Sequence, residues 1–151
     1  MIIYYIIIAT AFILDQISKI VIRNNMDLNE SMTVIKNFFY ISYVENTGAA
    51  WSMFQGARWF FVSITVIMII IMFRYIYKIK NRSFRTAASF IIGGGLGNLL
   101  DRVLTGRVVD FIDLNFWNYD FPVFNISDSF VTVGTILLGI YIIRHEGSKK
   151  Q

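Results

Sequence analysis

The chain has 151 residues, 56% of them hydrophobic and only 16% charged, against about 25% charged in a typical soluble domain. Disorder is excluded by that apolar content, and the absence of cysteine excludes disulfides, thiolate metal sites, a Cys nucleophile and a lipidated Cys. The one histidine, His145, sits beside a basic tail and leaves a His-based metal site or a Ser-His-Asp triad without parts. The net charge of +4 invites a nucleic-acid reading, but its distribution follows membrane topology instead, so no nucleic-acid partner is expected.

Four apolar segments, at about residues 1–22, 57–77, 86–104 and 125–143, each approach the ~20 residues a spanning helix needs. They predict a membrane all-α fold: four transmembrane helices in one integral-membrane domain over residues 1–151. The first segment contains Ala9-Thr10-Ala11, which resembles a signal-peptide cleavage site. It has no basic start and stays apolar beyond that point, so it reads as a retained helix. Asp15-Gln16-Ile17-Ser18-Lys19 closes it; Asp15 and Lys19, four residues apart, can pair and lower the cost of insertion. Ser18 and Lys19 point about 100° apart on a helix and cannot form a Ser-Lys dyad with each other.

The loop at about residues 23–56 is unlike a linker. Thr33 to Val44 is rich in β-branched and aromatic residues and predicts a strand pair. In Asn46-Thr47-Gly48, Gly48 permits a turn with positive φ through which Asn46 reaches a site; taken alone, the stretch reads first as an ordinary polar turn. Between the second and third segments lie Arg74, Lys78, Lys80, Arg82 and Arg85 with no acid among them, and the tail adds Arg144, Lys149 and Lys150 against Glu146. Basic loops stay inside, which predicts cytoplasmic termini and a cytoplasmic middle loop, with Trp51, Trp59 and Trp117 near the outer interface.

In the third segment Gly93 and Gly97 lie four apart, a spacing used for close helix packing in lipid. Asn98, Asp101 and Arg102 share one helical face. Arg102 can hold a substrate carbonyl or carboxylate and Asn98 can donate to a substrate backbone. On the alternative reading, Arg102 neutralises Asp101 or Asp15 so that the helix inserts, and the sequence favours neither. The loop at about residues 105–124 is again apolar and aromatic, with Pro122 keeping Phe121 extended. Together the two loops predict a small extracytoplasmic β element, a cradle on the outer membrane surface.

Five of the ten acids fall between Gly97 and Asp128. Ionisable groups at membrane depth are costly and mark functional sites. At 1.5 Å per residue, Asp15, Asp101 and Asp128 lie about 21, 22 and 22 Å from the inner ends of their helices, one level in the outer third of the bilayer. Asp110 and Asp128 are read as a catalytic pair. Two carboxylates in one apolar site titrate apart, so one holds a proton while the other serves as base toward a bridging water. The rival account makes Asp128 a first-turn acid with Asn125 as N-cap; the two roles are compatible, and the helix N-terminus then favours ionised Asp128 and protonated Asp110.

Five blocks in order resemble the lipoprotein signal peptidases, or signal peptidases II: Asp15-Gln16 with Lys19, Asn46 with Gly48-Ala49-Ala50, Gly97-Asn98 with Asp101-Arg102, Val109-Asp110-Phe111, and Phe124-Asn125 with Asp128. The family pattern has Ala where this chain has Ser127. The resemblance implies an aspartic endopeptidase of the bacterial cytoplasmic membrane with its site toward the outer leaflet. Its substrate would be a prolipoprotein carrying a diacylglyceryl group, cut N-terminal to the lipidated Cys. It also implies Asp110 and Asp128 as catalytic residues, Asn46, Gly48, Asn98, Arg102 and Asn125 as substrate-binding, and Asp15, Lys19 and Asp101 as supporting. No cofactor or metal is expected, and the partners are the substrate and membrane lipids, with the chain a monomer. A small transporter or proton pathway is the competing class, and a non-catalytic assembly subunit the third. Relay residues step through the bilayer, whereas these carboxylates cluster at one depth.

Overall fold

The apolar segments become four helices, and the aromatic loops become strands. The computed structural model describes residues 1–48, 53–116 and 119–149; Trp51, Trp117, Ala49, Ala50 and Lys150 lie outside the described residues. The order is α1 (Ile2–Asn25), β1 (Ser31–Ile35), β2 (Phe39–Asn46), α2 (Arg58–Lys78), α3 (Arg82–Leu104), β3 (Val108–Phe116), β4 (Tyr119–Asp120) and α4 (Ile126–Lys149).

Three helical stretches, Ile2–Asn25, Arg58–Lys78 and Ile126–His145, are long and apolar enough to cross a membrane. The expectation of four equivalent apolar spans therefore holds for three helices by composition, and α3 is different in kind. Its position explains the difference. Twelve residues of α3 are buried, against two of α2, because α1, α2 and α4 all pack on it. An enclosed helix exchanges lipid-facing Ile and Leu for small residues. A Cβ on Gly93 would stand 2.8 Å from both the Ile8 carbonyl oxygen and Ala11 Cβ of α1, so only glycine lets the two backbones approach this closely. The outer helices show the reverse: Ile64, Ile67, Ile70, Ile136, Ile140 and Ile143 are exposed, as lipid-facing side chains are.

Asn81 begins α3 by accepting from the Phe84 N–H at 3.2 Å. Arg85 Nε donates to the carbonyls of Ile76 and Ile79, both at 3.0 Å, tying the end of α2 to the start of α3. At the other end the strands form an antiparallel sheet in the order β1-β2-β3-β4, with β4 a two-residue addition. The register pairs Val44 with Asp110 and Asn46 with Val108, after a shift between Ile41 and Val44. Ile22 of α1 packs under Tyr43, Val109 and Phe111, which seats the sheet on the helices.

Candidate active site

The site forms where β3, the ends of α1 and α3, and the start of α4 meet. Val108 to Phe111 of β3 are all buried, and Asp110 is 3% exposed. The chain entering α4 runs back along β3: Phe111 and Ile112 both donate to the Phe124 carbonyl, at 3.0 and 2.7 Å, and Phe124 returns a bond to Ile112 at 3.0 Å. This pairing delivers Asn125 and the first turn of α4 beside Asp110.

Asn125 is fully buried and joins the two acids. Its Nδ2 donates to Asp110 Oδ1 at 2.6 Å, and its backbone N–H donates to Asp128 Oδ2 at 3.2 Å. Asn98 completes the arrangement from α3. Its Nδ2 donates to Asp128 Oδ1 at 2.7 Å, while its Oδ1 accepts from Lys19 Nζ at 2.9 Å and from Asn125 at 3.2 Å. Asn46 donates to Asp110 Oδ2 at 2.9 Å and accepts from the Gly48 N–H at 2.8 Å. Burial and then the nearby Asp128 charge push the Asp110 carboxyl up to about 7, while the bonds from Asn46 and Asn125 pull the other way.

Behind this layer Lys19, fully buried, pairs with Asp15 at 2.8 Å and Asp101 at 2.9 Å. Asp15 also receives Gln16 Nε2 at 3.1 Å and the Ser127 N–H at 2.9 Å. The three helical carboxylates thus belong to one connected network: Lys19 joins Asp15 to Asp101, and Asn98 links Lys19 to Asp128. Such a buried cation is tolerated only because carboxylates and amides surround it.

Several sequence expectations change in detail. Arg102 does not neutralise Asp15 or Asp101; Lys19 does, with Arg23 3.5 Å from Asp101. Arg102 Nη2 instead donates to the Gly48 carbonyl at 3.1 Å, and its guanidinium lies 5.0 Å from the Phe61 ring centroid. Gly48 is not a positive-φ glycine, unlike Gly56 and Gly106. A Cβ there would strike the Met53 carbonyl oxygen, so close backbone approach explains the residue. Asn98 and Asn46 spend donors on Asp128 and Asp110, rather than pointing free toward a ligand. Phe61 beneath Arg102 carried no sequence signal, since one Phe among fourteen is unremarkable. Also unforeseen is an apolar cavity of about 480 Å³ beside Asp128, walled by Phe121, Phe124, Thr132 and Val133. Thr132 falls one helical turn after Asp128, which is the only hint of it in the sequence.

This is a helical membrane protein in which a buried carboxylate on a small antiparallel sheet meets a half-buried one at the start of a helix. The model of signal peptidase (SPase) II matches residues 7–144. Lipoprotein signal peptidases of Staphylococcus aureus are similar to it: that of strain MRSA252 is 43% identical over 141 residues, 92% of this chain and 86% of the relative, and that of strain JH9 is 42% identical over the same span. Two solved structures of a bacterial membrane enzyme are similar as well. One has a TM-score of 0.90 and 40% identity, covering 98% of this chain and 92% of that one. The other has a TM-score of 0.82 and 42% identity, covering 92% and 91%. The chain belongs to the signal peptidase II family, a family of bacterial membrane peptidases that process lipoproteins.

Proposed function

We propose that Asp110 and Asp128 are the catalytic dyad of an aspartic endopeptidase that cuts diacylglyceryl-modified prolipoproteins N-terminal to the lipidated Cys. The observation that carries this is the shared hold of Asn125 on both carboxylates. Asp110, its carboxyl raised to about 7, is protonated in a large share of molecules near neutral pH, and in that form faces the scissile carbonyl. Ionised Asp128, at the positive end of α4, takes a proton from water as that water attacks the carbonyl carbon, and Asp110 protonates the oxygen. The C–N bond then breaks, the amine leaving with a proton returned by Asp128 while the oxygen gives its proton back to Asp110.

The four helices, α3 enclosed by the others, span the membrane with both termini cytoplasmic. The sheet rests on the outer surface, where the lipid-tethered bond lies at the depth of the dyad. Asn46 and Asn98 act by orienting the acids, and Arg102 by holding the Gly48 carbonyl beside the site. The cavity beside Asp128 receives an apolar part of the substrate. A proton pathway is the weaker account, because the acids converge on one residue, Asn125, through its side-chain amide and its backbone N–H, instead of forming a file across the bilayer.

The test incubates purified protein with a lipid-modified prolipoprotein and resolves the products on a gel. Asp110→Asn and Asp128→Asn, each still folded, should leave the precursor intact. Undiminished cleavage in both variants would reject the dyad.

A further inference from the structure

A second cavity, of about 410 Å³, opens between the start of α3 and the last turns of α4. Arg144 on its rim lies sixteen residues beyond Asp128, about 24 Å along the helix, so this cavity faces the other side of the membrane. Its walls differ in character. Leu137, Ile140 and Tyr141 make the apolar wall, and Ser83, Arg144 and His145 the polar rim. Leu137, Ile140, Tyr141 and Arg144 recur at three to four residues and form one stripe of α4, apolar toward the membrane middle and cationic at its end.

The rim is held ready for an anion. Arg144 makes no ion pair among the described residues, and His145 is stacked on Tyr141 with ring centroids 5.5 Å apart and planes at 13°. Tyr141 is itself fixed edge-on to Phe84 at 5.5 Å. The neighbouring Arg85 is committed to the Ile76 and Ile79 carbonyls, which leaves Arg144 as the cation of this cavity, among the described residues, with His145, Ser83 and Asn81 beside it as neutral polar groups. The loop that joins α2 to α3 contributes no acid. Ile136, Ile140 and Ile143 are exposed on the adjoining surface of α4, where a hydrocarbon chain can lie.

We propose that this cavity binds one anionic phospholipid. Arg144, His145 and Ser83 take the phosphate, and Leu137 and Ile140 take the first carbons of an acyl chain. A free anion needs no apolar wall, and a zwitterionic lipid gains little from an unpaired Arg, so the two-sided lining selects an anionic lipid. The inference rests on the membrane placement of the helices and not on the assignment of Asp110 and Asp128.

Native mass spectrometry of the full chain in detergent, titrated with phosphatidylglycerol or phosphatidylcholine of matched chains, tests it. Phosphatidylglycerol should be retained about fivefold better, the effect of one basic residue near an anionic headgroup. Arg144→Gln should erase that preference and Ser83→Ala weaken it. Arg74→Gln, the same charge change at a separate pocket formed with Tyr75 and Lys78, should leave it intact. Equal retention of both lipids, equal loss in Arg74→Gln and Arg144→Gln, or full displacement by millimolar inorganic phosphate would overturn the assignment. Cleavage of prolipoprotein by Arg144→Gln should match the unsubstituted enzyme, so a failure here stays distinct from a failure of the dyad.

Discussion

Asn125 and Asp128 cap one another. The Asp128 N–H donates to Asn125 Oδ1 at 2.9 Å, and Asp128 Oδ2 accepts the Asn125 N–H at 3.2 Å. This is a capping box with Asp in the place of Glu, and it closes the first turn of α4 while fixing one oxygen of the Asp128 carboxylate; Asn98 holds the other. The acid proposed for chemistry is therefore also a piece of helix structure, and the two contributions separate by substitution. Asp128→Asn keeps an acceptor at the cap, whereas Asp128→Ala removes it. Both should lower kcat by about three orders of magnitude, as loss of one member of a catalytic unit does. Only Asp128→Ala should also lose roughly 1 kcal/mol of stability in thermal unfolding, the usual worth of a cap. An active Asp128→Asn would remove Asp128 from the chemistry.

The raised carboxyl of Asp110 fixes the sign of a pH effect. The proton that the proposed mechanism assigns to Asp110 is lost as pH rises through about 7, so kcat should fall on the alkaline side of that value. Asn46 stabilises the ionised form of Asp110 through its 2.9 Å bond. Asn46→Ala should therefore move the alkaline limb to higher pH while lowering the rate at neutrality. Stability follows the same proton: folded Asp110 binds it above the range where the unfolded acid has released it, so stability should decline from acid pH up through about 7. Asp110→Asn should flatten that part of the unfolding profile. An alkaline limb that does not move in Asn46→Ala would show that Asp110 is not the group being titrated.

The helices were legible in the chain, and so was the convergence of Asp15, Asp101 and Asp128, because rise per residue places them at matching distances along their helices and one network of Lys19 and Asn98 joins them. The strand pairs were legible from their β-branched and aromatic runs. What escaped was set by tertiary neighbours. Arg102 has as many acids nearby in sequence as Lys19, and only the packing of α1 against α3 decides that Lys19 reaches Asp101 while Arg102 turns to Gly48. The β2 shift between Ile41 and Val44, which aligns Val44 with Asp110, leaves no mark in composition. The distinct character of α3 was half visible in its glycines, but that it packs against all three other helices was not.

Lys19 holds two carboxylates that have no water to turn to. Lys19→Met leaves Asp15 and Asp101 buried without their main partner, a loss of about 3–5 kcal/mol. The variant should express poorly in the membrane and unfold early on heating. Adding Asp15→Asn and Asp101→Asn removes the uncompensated charge and should restore much of the stability. Activity should stay low, because Asn98 loses the 2.9 Å bond that helps direct its Nδ2 toward Asp128. A triple variant with full activity would confine Lys19 to a purely structural part.

Ser127 carries a hydroxyl with no need of its own. Its Oγ is buried without a hydrogen-bond partner among the described residues, while its backbone N–H serves Asp15 at 2.9 Å. A buried unpaired hydroxyl costs about 1–3 kcal/mol. The side chain also presses on α3, where a Cβ on Gly97 would collide with Ser127 Oγ. Ser127→Ala keeps the backbone bond and should raise the unfolding temperature with cleavage unchanged, and Ser127→Val should overfill the gap and destabilise. A drop in activity in the Ala variant would give the hydroxyl a catalytic or binding task.

The cavity beside Asp128 separates recognition from chemistry. Thr132 and Val133 are exposed on α4 and touch none of the amides that hold the dyad, so a large side chain there fills space without disturbing Asn98 or Asn125. An apolar cavity of about 480 Å³ accommodates an aliphatic side chain or several carbons of a lipid tail. Thr132→Trp should displace that group and raise KM by about tenfold with a smaller change in kcat, the pattern expected when binding common to ground and transition states is lost. A truncated substrate lacking the displaced apolar part should be cleaved equally by Thr132→Trp and the unsubstituted enzyme. If full-length substrate is cut with unchanged KM, its apolar portion lies elsewhere on the membrane face of the protein.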